Sequence, residues 1–286
     1  MKIRILFLLT IIPRLCFGQI FGILRDSTDK QPIPYVNIWI ENENIGTTSD
    51  INGKFTLNIS PKSNKTIILS SVGYKTKKIN SNIDLNTVFL QPQIIGLPEV
   101  VVSNKKKIKI KTIGKFKKSQ IISHVLSGNS PLMIAEYFPY NEELEETPFI
   151  KTIRLPIKSK VDNCKFNIRF LSLSDNGMPE NYYFDENLIC LAKKGSSIVT
   201  INLANKNIVF PKEGLIIAIE WLFIEENKYE FKYIIEGQKK NNVEYLYSPS
   251  VGLTKQKSDD NFWIYRLGKW KKTTNFPIII ELTLTN

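Results

Sequence analysis

The sequence predicts an all-β protein that folds as two β-sandwiches. Apolar and polar residues alternate along many short segments, such as 35–40, 55–59 and 198–203, and a period of two is typical of strands. Clusters of Asp, Asn, Gly and Pro separate these segments, as at 175–179, where they favour turns. No long segment carries apolar residues at helical spacing. Short strands at such regular spacing usually form two sheets whose apolar faces pack together.

The first 18 residues have the features of a secretory signal peptide. Lys2 and Arg4 precede an apolar run at residues 5–12, which is too short to cross a bilayer as a helix. We therefore predict that residues 1–18 are removed and that the mature chain starts at Gln19. The predicted destination is the periplasm, the outer membrane or the cell exterior.

The protein is basic, with a formal net charge of +12. Removal of the signal peptide takes away three cations and leaves a positive balance. Such a balance favours anionic partners, whether lipid headgroups, acidic glycans or nucleic acid. Because export separates the chain from nucleic acid, we predict no nucleic-acid partner. Peripheral contact with an anionic membrane surface stays open.

The cysteines and the histidine limit the chemistry that is available. Cys164 and Cys190 remain after the signal peptide, and in an oxidising compartment they can form one disulfide. Cys164 also shares a strand face with Phe166 and Ile168, which suits a buried free thiol. His124 is the single histidine, so zinc sites with several histidine ligands are excluded. We predict no metal site and no cofactor.

Two domains of ordinary size fit the length, residues 19–102 and residues 119–286. The segment between them, residues 103–118, is rich in lysine. Like charges repel and extend a chain, so we predict a linker here. The alternation of lysine and isoleucine within it would also suit an edge strand whose charges discourage aggregation.

An acidic turn or a calcium loop could explain the segment around Asp50, Asn52 and Gly53. A calcium loop with its glycine at Gly53 needs an acidic ligand at residue 48 and a carboxylate at residue 59. Thr48 and Ile59 occupy those positions. The turn is therefore predicted, because Asp50 can accept hydrogen bonds from nearby backbone N–H groups and the Asn-Gly pair tolerates positive φ.

Several short motifs occur together in residues 20–92: Gly22, Asp26, Gln31–Ile38, Gly46–Asp50, Gly53–Phe55 and Leu69–Tyr74. This combination resembles the carboxypeptidase-like regulatory domain. The resemblance implies a prealbumin-like or immunoglobulin-like β-sandwich that serves as a non-catalytic accessory module. Residues 96–102 are similar to the junction that leads from this module into TonB-dependent receptors, but the remaining chain is too short for a receptor barrel.

The C-terminal half has a looser resemblance. Segments 149–153, 165–170 and 217–222 are similar to the jelly-roll-like half of short envelope proteins that carry the same module. This resemblance implies a second, jelly-roll-like β-sandwich and no particular activity.

Glu220 is the most unusual residue of the second domain. It interrupts an apolar strand, where alternation places it beside Ile216, Ala218 and Leu222. A carboxylate on such a face needs a partner or water. It could contact a ligand or act as a catalytic acid, or it could simply pair with an arginine or a lysine.

An aromatic cluster near the C terminus has two interpretations. Trp263, Tyr265 and Trp270 could stack on sugar rings while Arg266 donates hydrogen bonds to the sugar. Alternatively, Trp263 and Tyr265 fill the core, and Gly268 permits a tight hairpin that returns Trp270 beside them.

The sequence therefore predicts a non-catalytic envelope protein that binds a glycan or another envelope protein. The first alternative is a hydrolase that acts on polysaccharide or peptide through paired carboxylates, although no local residue supplies the second carboxylate. The second alternative is a small outer-membrane barrel, which the charges spread through the strands disfavour. The candidate ligand contacts are Trp263, Tyr265, Arg266, Trp270 and Glu220.

Overall fold

The computed structural model describes residues 18–93, 107–128, 130–236, 242–255 and 261–286. Most of the predicted signal peptide and the segment 96–102 lie outside the described residues. Within them the protein is all-β, with 22 strands and no α-helix. No helix in this part of the chain is long and apolar enough to cross a membrane. The four short 3₁₀ turns are Pro61–Ser63, Lys118–Gln120, Glu142–Leu144 and Glu225–Asn227.

The N-terminal domain is a sandwich of seven strands. Its strands are β1 (Ile20–Asp26), β2 (Asn37–Ile40), β3 (Gly46–Thr48), β4 (Lys54–Leu57), β5 (Thr66–Ser70), β6 (Lys77–Asn80) and β7 (Thr87–Leu90). One sheet has the order β4-β1-β7 and the other the order β3-β2-β5-β6. Leu24, Val36, Leu57, Leu69 and Leu90 are buried between the sheets. This is the predicted prealbumin-like sandwich.

Polar residues of the N-terminal motifs form turns. Asp50 Oδ1 accepts hydrogen bonds from the backbone N–H groups of Asn52 and Lys54, both at 2.8 Å. Gly53 has a φ of 72°, which glycine adopts without steric cost. The turn joins β3 to β4, which lie in different sheets, so it is a corner between the sheets, whereas an Asn-Gly pair most often forms a hairpin between paired strands.

The second domain is a larger sandwich. Its strands are β8 (Ile110–Ile113), β9 (Ser123–Leu126), β10 (Met133–Phe138), β11 (Phe149–Ser159), β12 (Cys164–Leu173), β13 (Pro179–Tyr182), β14 (Leu188–Ala192), β15 (Gly195–Asn202), β16 (Leu215–Trp221), β17 (Lys228–Tyr233), β18 (Asn242–Tyr247), β19 (Ser250–Leu253), β20 (Phe262–Arg266), β21 (Lys269–Lys272) and β22 (Glu281–Thr285). One sheet has the order β13-β12-β16-β10-β20-β21 with β14 also paired to β12. The facing sheet has the order β8-β22-β11-β19-β9 with β15 also paired to β11, and β17 and β18 form a separate two-stranded ribbon.

Strand β16 is buried on both faces. Leu215, Ile217 and Ile219 belong to the core between the two sheets. Ile216 and Ala218 belong to a second apolar cluster on the opposite face of the same sheet. A central strand with both faces covered reads as a continuous apolar run, which explains why Glu220 interrupts that run so visibly.

Part of the predicted linker, residues 103–118, is a strand. β8 pairs with β22 at the edge of the second sandwich, which is the outcome that the alternation of lysine and isoleucine allowed. Lys111 of this strand pairs with Glu143, and Lys109 just before the strand pairs with Glu146. The hydrogen bond from Lys111 lowers the pKa of Glu143. Residues 103–106 lie outside the described part.

Candidate functional site

Glu220 lies where the two domains meet. In β16 it stands opposite Met133 of β10 and Asn167 of β12. Its side chain points away from the core of the second sandwich and toward the N-terminal domain, and the residue is only 1% exposed. A carboxylate so far from water must be paired and hydrogen-bonded.

Both oxygens of Glu220 have partners, and the partners come from both domains. Arg169 donates from Nε to Oε2 at 2.6 Å, and Asn167 donates to the same oxygen at 3.0 Å. Asn37 of β2 donates to Oε1. Asn187 Oδ1 accepts from Asn167 at 2.8 Å and from Arg169 Nη1 at 3.2 Å. We call these five residues the junction cluster.

The charges of the junction cluster neutralise each other within the protein. Arg169 Nη2 lies 2.5 Å from Glu220 Oε2, and the guanidinium carbon is 5.2 Å from the centre of the Tyr182 ring. Burial raises the pKa of nearby Tyr265, and the charges of Tyr182 and Glu220 add to the effect. A carboxylate held by a guanidinium and amides is a structural acceptor, and its geometry does not resemble the paired carboxylates of a glycosidase.

Further contacts cover the same face of the second sandwich. The backbone N–H of Phe223 donates to Thr48 Oγ1 at 2.9 Å. Tyr35 of the N-terminal domain packs against Leu222 and Ile224. The junction therefore combines a buried polar centre with apolar packing around it, as in stable interfaces.

The aromatic residues predicted to bind a ligand lie on this same face. Trp263 is 3% exposed, and its ring centre is 6.3 Å from that of Tyr137. The ring of Tyr265 contacts the ring of Trp39 in the N-terminal domain edge-on, with ring centres 5.8 Å apart. The ring centre of Tyr265 also lies 5.1 Å from that of Trp270, and these two rings are tilted. Packing is therefore their observed role, and they pack on the face of the sheet that carries Glu220.

The tip of the hairpin between β20 and β21 is hydrogen-bonded to the N-terminal domain. Arg266 Nε donates to Asn44 Oδ1 at 3.2 Å. Leu267 and Gly268 have φ values of 56° and 75°, as a two-residue type I′ turn requires. A Cβ on Gly268 would lie 3.1 Å from Trp39 Nε1, so glycine allows the turn to approach the indole closely.

A narrow cleft remains between this hairpin and the N-terminal domain. Its lining includes Asn37, Trp39, Asn44, Tyr265 and Gly268, and the volume open to the centre of a water molecule is about 10 Å³. The indole N–H of Trp39 is buried there without an acceptor among the described residues. One water molecule fits such a space, whereas a sugar ring does not.

The two cysteines are buried free thiols, so the bridge between Cys164 and Cys190 is not formed. Cys190 stands opposite Phe166, two residues from Cys164 on the neighbouring strand. Diagonal neighbours in a sheet are about 7–8 Å apart, which exceeds the span of a disulfide. Burial raises the pKa of both thiols to about 12, and a protonated thiol is a poor nucleophile. Within the described ranges, no cluster of His, Cys, Asp and Glu side chains could hold a metal ion.

Four residues of the junction cluster were not predicted from the sequence. An arginine or lysine was one expected partner for Glu220, but Arg169 was not singled out, and Asn37, Asn167 and Asn187 carried no predicted role. One signal was present. In β12 the apolar residues Phe166, Ile168 and Phe170 alternate with Asn167 and Arg169, so a polar stripe runs along a strand in the middle of a sheet.

Comparison with known proteins identifies the N-terminal part. Residues 20–102 match the family described as the CarboxypepD_reg-like domain, as the motifs predicted. This part of the chain is such a domain, joined to a second β-sandwich. No curated protein matches the sequence.

Three solved structures show distant similarity. A clostridial cysteine protease after propeptide cleavage has 10% identity and a TM-score of 0.37, over 85% of this chain and 57% of that one. The cysteine protease and lectin-like domains of a surface-layer-associated protein of Clostridium difficile have 11% identity and a TM-score of 0.37, over 85% and 51%. Infectious bursal disease virus, Gx strain, has 12% identity and a TM-score of 0.23, over 93% and 63%. The chain thus spans between half and two thirds of the length of these structures.

Proposed function

We propose that the protein is an exported, non-catalytic component of the cell envelope that binds another envelope protein. It does so by accepting an extended segment of that protein as an additional strand beside β15. The observation that carries this proposal is the open, uncharged edge of β15. Strand addition of this kind supplies main-chain hydrogen bonds and needs no deep pocket.

Strand β15 has the geometry that strand addition requires. Residues 195–202 pair with residues 159–152 of β11 without a register shift. No other strand in the described residues pairs with β15. Its sequence, GSSIVTIN, contains no charge and no proline. A regular row of backbone donors and acceptors therefore faces outward along eight residues.

The other edge strands are shorter or carry lysines. β13 is four residues long and begins with Pro179. β6 and β21 contain two and three lysines respectively, and β8 contains Lys111. Proteins use charges, proline and short strands to prevent edge-to-edge pairing. β15 has none of these protections, which supports a role in pairing with a partner.

Two observations favour protein binding over the alternatives. Two of the residues that would have contacted a sugar, Tyr265 and Arg266, contact Trp39 and Asn44 in the domain junction, and Trp263 is buried within the second domain. The carboxylate that would have served a hydrolase is bound by Arg169. These assignments support a binding role that does not depend on catalysis.

The proposal is tested by crosslinking from the edge strand in intact envelopes. A photo-crosslinking residue in place of the exposed Thr200 should capture a specific protein, and Ser196→Lys with Thr200→Lys should abolish pull-down of that protein. The control is Leu126→Lys in β9, at the opposite edge of the same sheet, which should leave the pull-down unchanged. Failure of Thr200 to crosslink, or binding only on a glycan array, would overturn the proposal.

A further inference from the structure

We propose that the protein also associates with a second copy of itself through strand β17. The two ribbons would join side by side into a four-stranded antiparallel sheet with a twofold axis at Phe231. This association uses a different part of the molecule from β15 and does not depend on the partner proposed there.

The ribbon of β17 and β18 is incomplete by itself. It forms a two-stranded sheet that no other described strand extends, and such ribbons are marginally stable in water. Its exposed side chains are large and apolar, which is typical of an interaction surface. They include Phe231, Tyr233, Ile234, Ile235, Val243 and Tyr245.

The sequence of β17 is complementary to itself. Residues 229–233 read Tyr-Glu-Phe-Lys-Tyr, so the residue types mirror each other about Phe231 while the charge changes sign. In an antiparallel pair with Phe231 opposite its own copy, Glu230 stands opposite Lys232 of the second copy, and Tyr229 opposite Tyr233. Each such pair occurs twice, as an isologous contact requires.

On each face of the four-stranded sheet, the side chains of the two copies would be complementary. Alternation places Glu230 and Lys232 on one face, and Tyr229, Phe231 and Tyr233 on the other. Phe231 and Tyr233 already stack, with ring centres 5.9 Å apart and an interplanar angle of 23°. Opposite charges and aromatic rings are the cross-strand pairs that stabilise antiparallel sheets.

The neighbouring strand lacks this complementarity. Glu244 is the only charged residue of β18, so no antiparallel pairing of β18 with its own copy provides a cation for it. Within β17, Lys232 Nζ lies 3.6 Å from Glu230 Oε2 at the surface. An exposed pair of this kind contributes little to folding and remains free to exchange partners with a second copy.

The test is sedimentation of purified protein and three charge variants across about a hundredfold range of concentration. The unchanged protein should show a monomer–dimer equilibrium. Glu230→Lys and Lys232→Glu should each weaken the dimer at least about tenfold, because each places like charges opposite each other twice. The double variant, with both changes, should dimerise again. Glu213→Lys, the same charge change in the turn before β16, is the control and should leave the dimer intact.

Mixing the two single variants gives the most discriminating test. Glu230→Lys and Lys232→Glu, each weakened alone, should form a heterodimer when combined, since every cross-strand charge pair is then restored. A protein that stays monomeric throughout, or a dimer that Glu213→Lys weakens as much as Glu230→Lys does, would overturn the proposal. So would a mixture that shows no heterodimer.

Discussion

Two ion pairs of the second domain show how burial decides what a charge can do. Glu220 and Arg169 lie in the domain junction with relative side-chain exposures of 1% and 0%, and asparagine side chains hydrogen-bond to both of them. Glu230 and Lys232 lie on the ribbon with exposures of 52% and 62%. The first pair cannot separate without leaving a charge in a dry environment. The second can separate freely, because water replaces either partner.

The largest expected effect comes from breaking the buried pair. Arg169→Ala leaves the Glu220 carboxylate buried without its cation, and we expect a loss of about 3–5 kcal/mol in the free energy of unfolding. Urea denaturation measures this loss. Arg169→Met combined with Glu220→Leu removes both charges and should recover at least half of it. A double variant no more stable than the single one would show that the charge is not the cause.

The second largest effect is expected from loss of the hydrogen bond between Asn37 and Glu220, which joins the two domains. Asn37→Ala removes the donor to Glu220 Oε1 and leaves that oxygen unsatisfied in a buried site, at an expected cost of about 1–3 kcal/mol. Differential scanning calorimetry should show a lower transition temperature. The exposed Asn44→Ala, which removes only the acceptor for Arg266, serves as the matched control and should cost less.

The exposed pair should matter little to folding. Lys232→Ala should change the free energy of unfolding by less than about 0.5 kcal/mol, measured at a concentration at which the protein is monomeric. A loss comparable to that of Arg169→Ala would contradict the distinction between the two pairs.

The smallest expected effect is a dependence on pH through His124. Burial lowers the pKa of His124 below its ordinary value of 6.5, and the charge of Lys158 lowers it further. The unfolded histidine then takes up a proton at a higher pH than the folded one. The resulting stability is present above about pH 6.5 and is lost as the pH falls toward the folded pKa. Denaturation at several pH values should show this loss in the parent protein and not in His124→Gln.

Local patterns predicted the strands, the turn at Asp50 and the regulatory domain, because each depends on residues close together in the sequence. They also showed that Glu220 needed a partner. The identity of the partners depends on how sheets pack. Asn37 and Glu220 are 183 positions apart, and no periodicity relates a strand of one domain to a strand of another. The ligand role predicted for Trp263 and Tyr265 rested on their chemistry alone, and the packing of Tyr265 against Trp39 depends on the domain arrangement.

The central claim is that the junction cluster joins the two domains through a buried carboxylate that both share. A double-mutant cycle with Asn37→Ala and Glu220→Ala tests it most directly, because the interaction energy isolates the contact between the domains. We predict a coupling of at least about 1 kcal/mol between the two positions in the free energy of unfolding. Simple additivity of the two losses would contradict the account.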